Sequence, residues 1–137
     1  MADYRETVDY ILGIPLFAQK IGKENLSSLL CRLGNPEKAV PAIHVAGTNG
    51  KGSTCRALAQ MLAAQGYRVG LFISPHLVSI NERIQINGTN ISDDDFVSAF
   101  ETVKGQFMEH PSFFEVMFAM AAVYFRPVSY THLRAHE

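Results

Sequence analysis

The sequence predicts an α/β fold in which helices flank a parallel sheet, and three observations carry that prediction. A short apolar run at residues 42–46 leads into a glycine-rich loop, a helix-length stretch follows at 53–65, and a second apolar run comes at 68–73. Strand, helix and strand in that order form a crossover unit, which is right-handed and brings its two strands together in parallel. At 137 residues the chain has room for one domain with a modest core, or for part of a larger one.

The remaining elements follow in chain order. Residues 3–12 read as a short helix ended by Gly13 and Pro15. In the helix expected at 24–33, Leu26, Leu29, Leu30 and Leu33 fall on one stripe at i, i+3, i+4 and i+7, and Gly34 with Pro36 stops it. Cys31 adjoins that stripe and reads as a reduced packing thiol. His44 belongs to the first strand and is expected to be a hydrogen-bonded core residue. The helix at 53–65 carries Leu58, Met61 and Leu62 among alanines, holds Cys55 near its start as a packing residue, and ends at Gly66 as a left-handed stop. Residues 83–86 alternate polar and apolar, Asn87-Gly88 is a strong hairpin signal, and 89–91 return. Ser92 before Asp93, Asp94 and Asp95 marks a helix start rather than a metal cluster, because acids in a first turn complement the helix dipole. Ser112 to Glu115 spells a capping box before an apolar helix at 113–125.

Composition narrows the function. Hydrophobic residues make up 47% and charged residues 18%, which excludes disorder as the main state. Twelve basic residues against 13 acidic ones give a net charge of −1, so no nucleic-acid partner is expected. No signal peptide is visible at the start, and residues 113–125 are too short to cross a membrane. Two cysteines in helical stretches fit a reducing cytoplasm.

The chemistry centres on Gly47, Thr48, Asn49, Gly50, Lys51, Gly52, Ser53 and Thr54, between the first strand and the next helix. Backbone N–H groups at such a helix entrance can wrap a phosphate. The alternative is a tight strand-to-helix connection. Lys51 argues for phosphate, since a lysine at a helix start opposes the dipole unless an anion is bound there. The usual phosphate-loop pattern wants glycine four residues before the Gly-Lys pair and a hydroxyl just after it. Here those places hold Val45 and Gly52, so the loop is a variant.

Residues 43–53, with Met61-Leu62 and Gly66, resemble the first signature of the folylpolyglutamate synthases and dihydrofolate synthases of the Mur ligase superfamily. Ser74-Pro75-His76-Leu77, Asn81-Glu82-Arg83-Ile84 and Phe113-Phe114-Glu115 resemble its next segments, so the resemblance covers about residues 1–126. It implies a truncated N-terminal part of a Mur ligase-like ATPase domain, of P-loop type. The implied activity is ATP-dependent joining of L-glutamate to a folate or dihydropteroate through an acyl phosphate, in folate biosynthesis and one-carbon metabolism. Lys51 would then be catalytic, residues 47–54 would bind ATP, and Ser74 at the second strand's carboxyl end would hold Mg²⁺. The other reading of Ser74 is a strand-end turn before Pro75. His76 is a candidate substrate contact or loop-shaping residue, and Phe113 and Phe114 either stack near the pterin or pack in the core.

A cytoplasmic protein, monomeric when full length, is expected. The family's third-strand Glu-Val-Gly-Leu-Gly-Gly motif and C-terminal domain are absent from the sequence, and residues 127–137 read as an unrelated, artefactual tail. His132 and His136 are therefore excluded from any metal site. As written, the chain is expected to be inactive and poorly folded, with the 113–125 helix left partly uncovered. The alternatives are a nucleotide-binding module without ligase activity, another Mur-type amide ligase, and a truncated product with no function.

Overall fold

The computed structural model describes residues 3–14, 23–45, 50–107 and 111–126. Its elements are α1 (Tyr4–Leu12), α2 (Lys23–Arg32), α3 (Lys51–Ala64), β1 (Gly70–Phe72), β2 (Ile84–Ile86), β3 (Thr89–Asn90), α4 (Asp93–Lys104) and α5 (Phe113–Phe125). Short 3₁₀ turns occur at Pro36–Lys38 and Ile80–Arg83. The chain divides into two compact units, Met1–Ala39 with Ser92–Arg126, and Val40–Ile91.

The first unit is helical, and most of its sequence signals act as expected. Asp3, placed inside the helix by the sequence reading, is instead the cap of α1 and accepts the Glu6 N–H at 2.8 Å. Ser92 Oγ accepts the Asp95 N–H at 3.1 Å, so the three aspartates form the first turn of α4. Ser112 Oγ accepts the Glu115 N–H at 3.2 Å while Glu115 Oε1 accepts the Ser112 N–H at 2.7 Å, which closes the capping box. After α2, Leu33 is buried and Gly34 takes φ +87°, a left-handed stop that suits glycine.

α5 is largely covered, with Phe114 its one exposed aromatic among the described residues. It packs against α4, α2, α1 and the 3₁₀ turn at Pro36–Lys38, which bury Val116, Met117, Ala119 and Met120. Its cover comes from other helices of the same unit rather than from a sheet. Burying a valine or methionine side chain of this kind contributes about 1.5 to 3 kcal/mol. The guanidinium of Arg126 donates to the Leu33 carbonyl at 3.0 Å, which ties the end of α5 to the end of α2. Cys31 is exposed, beside the buried stripe rather than within it.

The second unit holds α3 and a three-stranded sheet of order β1-β2-β3. Both described pairings are antiparallel: Gly70 faces Ile86 and Phe72 faces Ile84, then Ile86 faces Thr89. Asn87 and Gly88 both take positive φ, +50° and +81°, which is the hairpin geometry that Asn-Gly favours. The predicted parallel pair is not formed among the described residues. Residues 41–45 have no regular secondary structure, and Ile43 is 69% exposed. Parallel strands are stable when both faces are covered, and residues 41–44 are exposed. His44 is correspondingly exposed rather than in a core. α3 packs against β1 but fully buries none of its side chains.

Candidate functional site

The start of α3 differs chemically from the starts of α1, α4 and α5. Those three have a side-chain cap and an acid in the first turn, whereas α3 has neither and opens with the exposed Lys51. Gly50, at φ +74°, turns the chain into the helix, and the Thr54 N–H makes the first helical bond onto its carbonyl at 2.9 Å. The N–H groups of the first turn precede the hydrogen-bond ladder and point out of the helix start. Lysine charge and helix dipole therefore add up in one place, a combination suited to an anion with several oxygens.

Gly52 strengthens this reading. A Cβ there would meet only the Arg56 guanidinium, at 3.4 Å, the far end of a flexible side chain. Glycine within a helix costs about 1 kcal/mol relative to alanine, and no packing contact requires it. A glycine leaves the backbone open to close approach at this turn. Ser53 and Thr54 occupy the same exposed turn. Gly47, Thr48 and Asn49 lie outside the described residues.

Ser74 is exposed and follows β1 by two residues, in the same unit as α3. A single hydroxyl suits Mg²⁺, a hard cation that keeps several waters and takes few protein oxygens when phosphates supply the rest. No cluster of three His, Cys, Asp or Glu able to hold a metal occurs among the described residues.

The loop after Ser74 is tied down by two residues to which the sequence reading gave no role. Glu82 Oε1 accepts the Leu77 N–H at 2.9 Å, and its Oε2 accepts the N–H groups of Val78 and Ser79 at 3.0 and 2.8 Å. These bonds, that from Leu77 foremost, hold the Glu82 carboxyl below the ordinary carboxylate range. Arg83 Nε donates to His76 Nδ1 at 2.8 Å. Burial first, then the Arg83 guanidinium, keep the half-buried His76 imidazole below the ordinary histidine range, against the pull of Glu82. His76 is thus a neutral acceptor toward Arg83 that shapes the loop. The signal for Glu82 was present: Ser79-Ile80-Asn81-Glu82 has capping-box spacing, and the box is formed.

Phe113 and Phe114 lie in the other unit. Phe113 is buried in the helical core, while Phe114 is 54% exposed and stacks on Phe118 at 5.8 Å between ring centroids. Cys55 is half-buried on α3. No described helix is long and apolar enough to cross a membrane. His132 and His136, with the rest of residues 127–137, lie outside the described residues.

No protein-family model matches the chain. The dihydrofolate synthase/folylpolyglutamate synthase of Bacillus subtilis is 40% identical over 129 residues, which is 89% of this chain and 30% of that protein. Among solved structures, the folylpolyglutamate synthase of Thermotoga maritima superposes with a TM-score of 0.83 at 42% identity, over 90% of this chain and 30% of that one. The Escherichia coli enzyme in complex with DHPP and ADP gives 0.82 at 31% identity, over 91% of this chain and 30% of that one. The chain thus spans about 30% of the length of these relatives.

Proposed function

We infer that this chain, which belongs to the folylpolyglutamate synthase and dihydrofolate synthase family by sequence and by backbone, is part of an ATP-dependent ligase that joins L-glutamate to a folate or dihydropteroate. The observation that carries this reading is the start of α3, uncapped, glycine-bearing and opened by Lys51. We read residues 1–126 as part of its ATP-binding domain and residues 127–137 as unrelated to it. In the longer protein, residues 42–46 are proposed to complete the parallel sheet once further strands cover them. We also read the protein as cytoplasmic, and as monomeric at full length.

The reaction starts from a carboxylate, a poor electrophile because its oxygen is a poor leaving group. A carboxylate oxygen attacks the γ-phosphorus of ATP, ADP leaves, and an acyl phosphate results. The glutamate amine then adds to the carbonyl carbon; the C–O bond to phosphate breaks, the nitrogen loses a proton, and an amide remains. Little covalent chemistry is asked of the protein. The Lys51 ammonium and the first-turn N–H groups of α3 stabilise charge on the transferring phosphoryl group. Ser74 would hold Mg²⁺, which when bound neutralises phosphate charge. His76 is read as shaping the loop beside Ser74; of the two phenylalanines, Phe114 is proposed for the substrate ring because it is exposed while Phe113 is buried.

Two outcomes follow from these roles. Gly52→Ala is expected to stabilise α3 by up to about 1 kcal/mol while weakening nucleotide binding, since the added methyl lies where a phosphate would approach. Parallel thermal melts and nucleotide titrations check this, and undiminished affinity would remove the phosphate from Gly52. Ser74→Ala is expected to raise the Mg²⁺ requirement for activity more than it lowers nucleotide affinity. An unchanged Mg²⁺ titration would leave Ser74 with only a turn role.

A further inference from the structure

The backbone around Ser74 is fastened on both sides by one short segment. On the near side, the Ile73 N–H donates to the Arg83 carbonyl at 3.0 Å, which extends the β1–β2 ladder by one bond. On the far side, the Arg83 side chain reaches His76, and the Glu82 carboxylate gathers three consecutive N–H groups from Leu77, Val78 and Ser79. Ser74-Pro75-His76 is therefore a three-residue bridge held at each end by residues 82 and 83.

The segment making these ties is itself anchored. Asn81 is buried, and its side-chain amide donates to the Ile91 carbonyl at 2.8 Å. Ser79 Oγ donates to Asn81 Oδ1 at 3.0 Å. Glu82 thus works from a fixed base, which a carboxylate must do if it is to position something else. Apolar packing does not explain the shape of the loop, because Leu77 and Val78 are 88% and 90% exposed. The Glu82 carboxylate holds the N–H groups of Leu77 and Val78, and it shares Ser79 with Asn81.

We propose that Glu82 is a positioning residue for the Ser74 hydroxyl: by fastening residues 77–79 it fixes the far end of the bridge that carries Ser74, and so sets where that oxygen meets a Mg²⁺–nucleotide complex. The proposal rests on the metal role assigned to Ser74 above. Both Glu82 oxygens already accept backbone N–H bonds, so Glu82 would act through the backbone rather than as a metal ligand. A charged acceptor suits the task, because both carboxylate oxygens are used and three donors are served. An amide would offer one acceptor oxygen and turn an NH₂ group toward N–H donors.

The test uses the protein containing this chain, with Mg²⁺-dependent binding of a non-hydrolysable ATP analogue as the readout. Glu82→Gln is expected to raise the Mg²⁺ concentration for half-maximal analogue binding by roughly tenfold, the low end of what losing an outer support of a metal ligand costs. Metal-free analogue affinity should stay the same. Glu82→Asp, which keeps the charge on a shorter arm, should fall between the two, and it stands in should Glu82→Gln fail to fold. Amide exchange of residues 77–79 should quicken in both variants. In the Ser74→Ala background, Glu82→Gln should add no further rise.

A raised Mg²⁺ requirement that is lost in the Ser74→Ala background supports the proposal. If Ser74→Ala shifts the requirement and the Glu82 variants do not, the proposal is overturned and the metal role of Ser74 stands. If Ser74→Ala itself leaves the requirement unchanged, the metal reading fails first and takes the proposal with it.

Discussion

Lys51→Ala is expected to remove most ATP-dependent glutamate ligation, at least a hundredfold in turnover, without harming the fold. A charge-assisted hydrogen bond contributes about 1.5 to 3 kcal/mol to binding, and an electrostatic group aimed at a transition state is worth roughly 10² to 10³ in rate. The fold has no use for this ammonium. Lys51 is exposed at the first position of α3, where its charge opposes the helix dipole. Removing it should leave stability unchanged or raise it by about 0.3 to 1 kcal/mol. Steady-state turnover measured beside a denaturant melt separates the two effects. Turnover near normal would remove Lys51 from the chemistry, and a fall in stability matching the loss of activity would make its role structural.

The second large effect is on stability. Phe96→Ala is expected to cost about 3 to 5 kcal/mol, within the range for emptying a fully packed aromatic position. Phe96 is fully buried in the helical unit and meets the Tyr4 ring edge-on, with centroids 5.8 Å apart. That is a large fraction of the 5 to 15 kcal/mol that holds a typical domain together. Met61→Ala on the exposed side of α3 should stay within about 0.5 kcal/mol. Urea midpoints of the two variants check the contrast, and equal losses would contradict the core as described.

Much of the helical unit was legible because its signals are local. Ser92 and Ser112 each satisfy donors within three residues, so the starts of α4 and α5 follow from sequence alone. The Asn87-Gly88 turn is equally local, since its backbone angles are a property of those two residues. What the sequence did not reveal depends on partners far along the chain. Residues 42–46 have the composition of a buried strand, yet strand formation needs a neighbour to complete the ladder, and residues 41–45 form none here. The apolar run at 113–125 marked a helix to be buried, but its cover was underestimated: α4, the element just before it, packs along it, and α1 and α2 come from farther along the chain. Within the candidate site, Lys51 and Gly52 stood out because each violates a local preference of helices. Glu82 did not, because a capping-box acid is ordinary until its second oxygen is seen gathering a loop.

The most direct measurement follows the oxygen of the acceptor carboxylate. The protein containing this chain is given ATP, L-glutamate and a folate or dihydropteroate whose carboxylate carries ¹⁸O, and phosphate and amide are both analysed. Labelled phosphate is expected, formed one-for-one with glutamylated product and only when all three substrates are present. Phosphate released without amide, or amide formed while the phosphate stays unlabelled, would contradict it.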